Sequence, residues 1–266
     1  MYRPRVGKSI SFGEDFSSRM SEAESAGLDA FDFDLCAHWR EREKEIALYG
    51  RLEDGLQRIE QSPLLLNGVH ISFGPVWEFS AVDERSRASA VRLAEEIFAR
   101  VDPAGPGCHI LHGSWEPIAD GERPRRLEQL KRSLRELRER TAARICVESL
   151  PRTCLGNTSR ELKDLADGVD GIDVCLDCNH FLREKPEDAV AVLGSRIRTT
   201  HISDYDFVDE RHWLPGTGKI DWNAFIGALE KAGYDGVFNY EVKVPAREIK
   251  ENFEQLFAAY NGRQRS

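Results

Sequence analysis

The chain is 266 residues long, 41% hydrophobic and 31% charged, with a formal net charge of −9. That composition excludes an intrinsically disordered chain, and the length allows a sizeable buried core. The acidic balance disfavours nonspecific binding to nucleic acid or anionic membrane, and no apolar run reaches the ~18 residues of a membrane span.

The opening MYRPRVGKSISFGED is charged and lacks an apolar segment, so no secretory signal is expected. A first strand is predicted near Lys8–Phe12, then a helix over Phe16–Ala26 closed by Gly27. The second strand, Ala30–Leu35, alternates apolar and acidic residues in FDFDL. Arg42–Gln61 reads as one helix, with Ile46, Leu48, Leu52, Leu56 and Ile59 apolar and Pro63 as its stop. Leu64–Phe73 is the third strand and carries His70. After the loop FGPVWEFS comes a helix over Glu84–Arg100, then the turn DPAGPG and a fourth strand, Cys108–His112.

The loop GSWEPIADGERP precedes a strongly charged helix, Arg125–Ala142, whose interleaved signs suit a solvated exterior face. The fifth strand is Arg144–Ser149, followed by a short helix over Thr158–Asp167 with Thr158 or Ser159 as N-cap. The sixth strand falls in the stretch Ile172–His180; its apolar run, which ends in Asp177 with His180 three residues on, reads as a buried parallel strand. Cys175 and Cys178 have redox-like or zinc-like spacing there, but alternation points them to opposite faces, and both read as small core residues. A disulfide framework is not expected at this size, and a cytoplasmic location is the default. A helix over Pro186–Leu193, a seventh strand over Ile197–Ser203, the long loop DYDFVDERHWLPGTGKID and a helix over Trp222–Ala232 follow. Gly236–Val242 is the eighth strand and Pro245–Tyr260 the closing helix.

Eight strand–helix units without a linker or second domain, and no G-x-G-x-x-G after the first strand, predict a single α/β domain over 1–266. The architecture that fits is a closed (β/α)8 barrel.

Catalytic groups in such a barrel sit where strands end in their loops. Strand five ends in Glu148, strand six in Asp177, strand seven in His201 and strand eight in Glu241. A lone Glu at a strand end is usually a solvated boundary residue, and a lone buried His is more often a hydrogen-bonded core residue. Four such residues at equal depth on consecutive strands are harder to dismiss, because together they need a cation. The oxygen and nitrogen donors suit Mn²⁺, Zn²⁺, Co²⁺ or Mg²⁺. Around them stand His70, His112, His180, Glu210 and His212, each an added ligand, a hydrogen-bond partner of a ligand or a substrate contact. His109 faces away from His112 and reads as structural, and His38 has a weak claim. Trp39, Trp77 with Phe79, Trp115 and Trp213 fall in loops that would ring the mouth, where aromatics stack on sugars or simply pack.

Glu148 in VES, Asp177 and His180 in LDCNH, His201 in HISD, the loop HWLPGTGKIDW and Glu241 in NYEV resemble the xylose isomerase-like barrels. That superfamily includes sugar-phosphate isomerases and epimerases, and endonuclease IV. The resemblance to its ketose 3-epimerases implies one divalent metal on Glu148, Asp177, His201 and Glu241. It implies that Glu148 and Glu241 move the proton and that His180 contacts substrate; His70, His112, His212 and Trp115 are further substrate-contact candidates. Cys154 stands where those enzymes place a second acid, and Phe207 where they place an arginine. The resemblance to endonuclease IV implies three zinc ions on His70, His112, Glu148, Asp177, His180, His201, Glu210, His212 and Glu241, with Glu210 in place of an aspartate. A dehydratase on the same scaffold is a third implication. The expected function is a metal-dependent isomerase or epimerase of a small sugar, sugar phosphate or polyol; a homo-oligomer is compatible with it.

Overall fold

The structure is a computed structural model that describes residues 1–37 and 40–264. His38 and Trp39, both named above, lie outside the described residues. The parallel strands are β1 (Arg5–Ser11), β2 (Ala30–Asp34), β3 (Leu65–His70) and β4 (Cys108–Leu111). They continue through β5 (Arg144–Glu148), β6 (Ile172–Asp177), β7 (Ile197–Ile202) and β8 (Val237–Tyr240). Neighbours pair in chain order, and β8 closes onto β1, giving the expected barrel.

The outer layer is α1 (Phe16–Ser25), α2 (Arg42–Gly50), α3 (Leu52–Glu60), α4 (Glu84–Val101) and α5 (Arg123–Arg138). It continues with α6 (Ser159–Asp167), α7 (Pro186–Leu193), α8 (Trp222–Lys231) and α9 (Ala246–Arg263). Strand residues that face this layer, such as Phe31, Phe33, Val69, Val147 and Phe238, join the helices in one apolar cluster. Inside the barrel, Cys108, Ile110, Cys146 and Cys175 form a separate small one. Cys178 belongs to the outer cluster, so the two cysteines lie on opposite faces and are core residues as expected. However, β6 ends at Asp177, and Cys178 opens the short 3-10 turn Cys178–His180 instead of continuing the strand.

The helix read over Arg42–Gln61 is two helices broken at Arg51. The halves bury different stripes. α2 turns Glu45, Leu48 and Tyr49 inward and leaves Ile46 54% exposed. α3 buries Leu52, Gly55 and Ile59, and a Cβ on Gly55 would stand 2.7 Å from the Phe12 ring. That close approach to the barrel wall holds α3 on a path α2 does not share.

The long loop after β7 is folded around the fully buried Asp204. Its Oδ1 accepts from the backbone N–H groups of Tyr205 (2.9 Å) and Ile220 (3.2 Å). Its Oδ2 accepts from Gly216 N (2.8 Å) and Trp222 Nε1 (2.9 Å). A Cβ on Gly218 would fall 2.3 Å from Asp204 Oδ1, so only glycine fits there. The PGTGKIDW motif is therefore a folding device that wraps the aspartate of HISD.

Candidate active site

The four strand-end donors converge at the carboxyl-terminal mouth of the barrel. Glu148 and Asp177 are the last residues of β5 and β6, His201 is next to last in β7, and Glu241 directly follows β8. One donor atom from each lies within 4.8 Å of the others. The expectation of equal depth is corrected by the ladders. Asp177 pairs with His201, but Glu148 pairs with Cys175 and His201 with Asn239, so the set steps by two residues at two junctions. Strands of a closed barrel tilt against its axis, and the tilt turns that stagger into convergence. A register shift in the β6–β7 ladder skips Arg198 and brings Asp177 level with His201.

Glu148 is the hub. Its Oε1 is 2.9 Å from His201 Nδ1. Its Oε2 is 2.9 Å from His70 Nε2 and 3.0 Å from His112 Nε2. Burial works to raise this carboxyl, but the imidazoles of His201, His112 and His70 outweigh it and hold Glu148 well below the usual range. Burial likewise opposes charge on His70, yet the Glu148 carboxylate lifts that ring to about 9. Burial dominates at His112 and lowers it. Asp177 is pushed up to about 6 by burial, with Glu241 and Glu148 adding to the shift and His180 opposing it. Glu241 lies below its ordinary value: burial opposes this, but His201 and His212 favour the carboxylate.

Among the described residues, two buried oxygens of this set have no hydrogen-bond partner: Asp177 Oδ2 and Glu241 Oε2. Glu241 Oε2 is 3.1 Å from His201 Nδ1, but that nitrogen is aligned on Glu148. Orphaned carboxylate oxygens facing one point, beside an imidazole, fit a divalent cation.

A second group stands beside it. His180 Nδ1 donates to the Ser149 carbonyl (2.8 Å), which turns Nε2 to Glu210 Oε2 at 3.2 Å. Donor atoms of His180, Glu210 and His212 lie within 4.8 Å of one another. Burial opposes charge on His180, but Asp177 and Glu210 raise it to about 10. The His180 hydrogen bond holds Glu210 down to about 2. His212 takes a left-handed backbone, φ 53°, and its Nδ1 donates to the Glu241 carbonyl at 3.1 Å.

His70, His112, Glu148, His180, His212 and Glu241, with Trp115, line a cavity of about 480 Å³. Asp177 and His201 are fully buried behind its wall.

Over residues 20–259 the sequence matches the xylose isomerase-like TIM barrel. The chain belongs to that family. Within the family's fold, a D-tagatose 3-epimerase-like protein superposes with TM-score 0.81 at 19% identity, over 97% of this chain and 99% of that one. D-Psicose 3-epimerase from Clostridium cellulolyticum H10 follows at TM-score 0.76 and 17% identity, over 97% and 98%. The 3-keto-D-glucoside 4-epimerase YcjR from E. coli gives TM-score 0.73 at 18% identity, over 96% and 100%. A stretch of 86 residues is 30% identical to an uncharacterized protein, y4fM, of Sinorhizobium fredii; it spans 31% of this chain and covers 27% of that protein's length.

Other expectations for this xylose isomerase-like barrel divide. His109 is structural as read: its ring stacks on Phe98 (3.9 Å) and its Nε2 meets Asp102 Oδ1 at 2.7 Å. Trp115 lines the cavity, but Trp77 and Phe79 are buried, and Trp77 Nε1 donates to Glu45 Oε1. Trp213 is exposed and is not part of the cavity wall. The correction has a simple cause: loop aromatics can bury against the helix layer as readily as at the rim. Asp34, Phe73, Glu116 and Arg152 also line the cavity and were missed. Phe73 stacks on His112 at 4.4 Å. Arg152 ion-pairs with Glu116 (2.7 Å) and Asp209 (2.8 Å), tying together the loops after β4, β5 and β7. Only Asp34 had a signal, the alternation of FDFDL.

Proposed function

We propose that this chain is a divalent-metal-dependent isomerase or epimerase acting on a small sugar, sugar phosphate or polyol. The observation that carries the reading is the set Glu148, Asp177, His201 and Glu241, with its orphaned oxygens, against a cavity of sugar-sized volume. Membership of the family and the fold shared with proteins named as epimerases support the same class.

The four residues would hold one Mn²⁺, Zn²⁺, Co²⁺ or Mg²⁺. Such an ion supplies a Lewis acid for the substrate's carbonyl and hydroxyl oxygens and offsets the charge that develops as the adjacent carbon loses its proton. Glu148 and Glu241 move the proton. Both are held as carboxylates at neutral pH, and both face the cavity, from non-adjacent strands. One takes the proton α to the carbonyl; the other, once protonated, returns one on the opposite face. His70, His112, His180 and His212 offer hydrogen bonds to hydroxyl groups, and Trp115 an apolar surface for the ring.

A second reading rests on how Glu148 divides its oxygens. His70, His112 and Glu148 form one further donor set, and His180, Glu210 and His212 another, on either side of the central four. Occupied together, these would resemble the multinuclear zinc centre of a phosphoesterase such as endonuclease IV. A dehydratase would share the central set alone.

Metal content separates the two main readings. We expect one equivalent per chain from plasma mass spectrometry of the purified protein, with catalytic interconversion of a ketose or polyol. Two or three equivalents, with His70 and His112 as ligands and phosphodiester hydrolysis, would replace the first reading by the second.

A further inference from the structure

His201 has a second nitrogen, and its partner comes from the far side of the barrel. His201 Nε2 lies 3.3 Å from Asp32 Oδ2, and both residues are fully buried. Its Nδ1 faces Glu148 Oε1 at 2.9 Å and Glu241 Oε2 at 3.1 Å. We propose that Asp32 is the positioning residue of the metal centre: by accepting from His201 Nε2–H it fixes the ring so that Nδ1 is presented to the cation. The proposal rests on the metal reading of the site given above.

The chemistry follows from the imidazole. A neutral ring carries one N–H, and the other nitrogen offers a lone pair. An acceptor held at Nε2 places the proton there, leaves Nδ1 free for a metal, blocks a ring flip and raises the ligand's basicity.

The barrel is built to hold that acceptor. Asp32 Oδ1 accepts from Asn67 Nδ2 at 2.6 Å, and Oδ2 from Asn239 Nδ2 at 2.8 Å. Asn67 falls where the β2–β3 register shifts, pairing Phe31 with Leu66 and Asp32 with Gly68, so it is skipped in the ladder. A Cβ on Gly68 would be 2.9 Å from Asp32 Oδ1, so the wall is pared back at that point. A purely structural role does not account for a carboxylate. The amides of Asn67 and Asn239 have neutral partners in Thr199 Oγ1 (2.8 Å) and Ser9 Oγ (2.9 Å). An unpaired buried carboxylate is costly, and among the described residues the imidazole it touches is that of His201.

The test uses the full chain, stripped of metal. Mn²⁺ binding is measured by calorimetry for the wild type, Asp32→Asn, Asp32→Ala and Ser9→Ala. In parallel, the His201 ring nitrogens are read by ¹⁵N NMR of histidine-labelled wild type. We expect a proton on Nε2 in the wild type, and Mn²⁺ affinity about 10–100-fold weaker in Asp32→Ala. Asp32→Asn, whose amide oxygen still accepts, should lose less, and Ser9→Ala, in the same polar layer, should stay near wild type. Affinity in both Asp32 variants near the wild-type value, or a bare Nε2 in the wild type, overturns the proposal and leaves the metal reading standing. Equal weakening by Ser9→Ala also overturns it, as a layer-wide packing effect. No Mn²⁺ binding by the wild type overturns both. Should Asp32→Ala fail to fold, Asp32→Asn and the wild-type NMR still decide.

Discussion

At the scale of single residues the site is governed by what surrounds Glu148. Three imidazoles lie within 3.0 Å of its oxygens and keep it a carboxylate despite burial. Glu148→Gln keeps the shape and removes the base; Glu241→Gln does so on the other wall. In each variant, exchange of solvent deuterium into a turned-over ketose should fall by about 100-fold or more, the usual contribution of a placed acid or base. Exchange that persists in both would remove them from the proton pathway. All four central donors could be named from the sequence, because strand ends in a barrel share one mouth. The role of Asp32 could not. Its alternation with Phe31 and Phe33 points it inward, but its contact with His201 spans 169 positions of sequence.

At the scale of elements, the loop after β7 depends on one buried carboxylate. Asp204→Ala would remove the acceptor of four donors, three of them buried: the amides of Tyr205 and Ile220, the indole N–H of Trp222 and, nearer the surface, the amide of Gly216. We expect a loss of about 3 kcal/mol, read as a Tm lower by roughly 6–12 °C in a thermal scan. An unchanged Tm would mean that the loop is held by something other than Asp204. Most elements were legible because apolar runs, Pro and Gly mark their ends. The break between α2 and α3 was not. Their apolar residues fit one helical stripe in sequence, and only packing against Phe12 and Trp77 shows that two faces are buried in turn.

At the scale of the whole molecule, metal and proton compete for one set of donors. Asp177 titrates near 6 in the folded chain, above the roughly 4 of a free aspartate. A raised carboxyl stabilises the fold below its unfolded value and loses that contribution as pH rises through the folded one. A bound cation takes the proton's place above that range. The gain in Tm on adding Mn²⁺ should therefore be larger at about pH 7.5 than at about pH 5.5. An equal gain at both would show that protons do not compete for the site. The sequence alone determined the (β/α)8 architecture and the residues at its strand ends, because strand and helix periodicities are local and each element carries its own. Which of those residues meet, and through which atoms, was decided only by the tertiary structure. Barrel closure sets the stagger between β5 and β8, and that stagger brings His201 between Glu148 and Asp32.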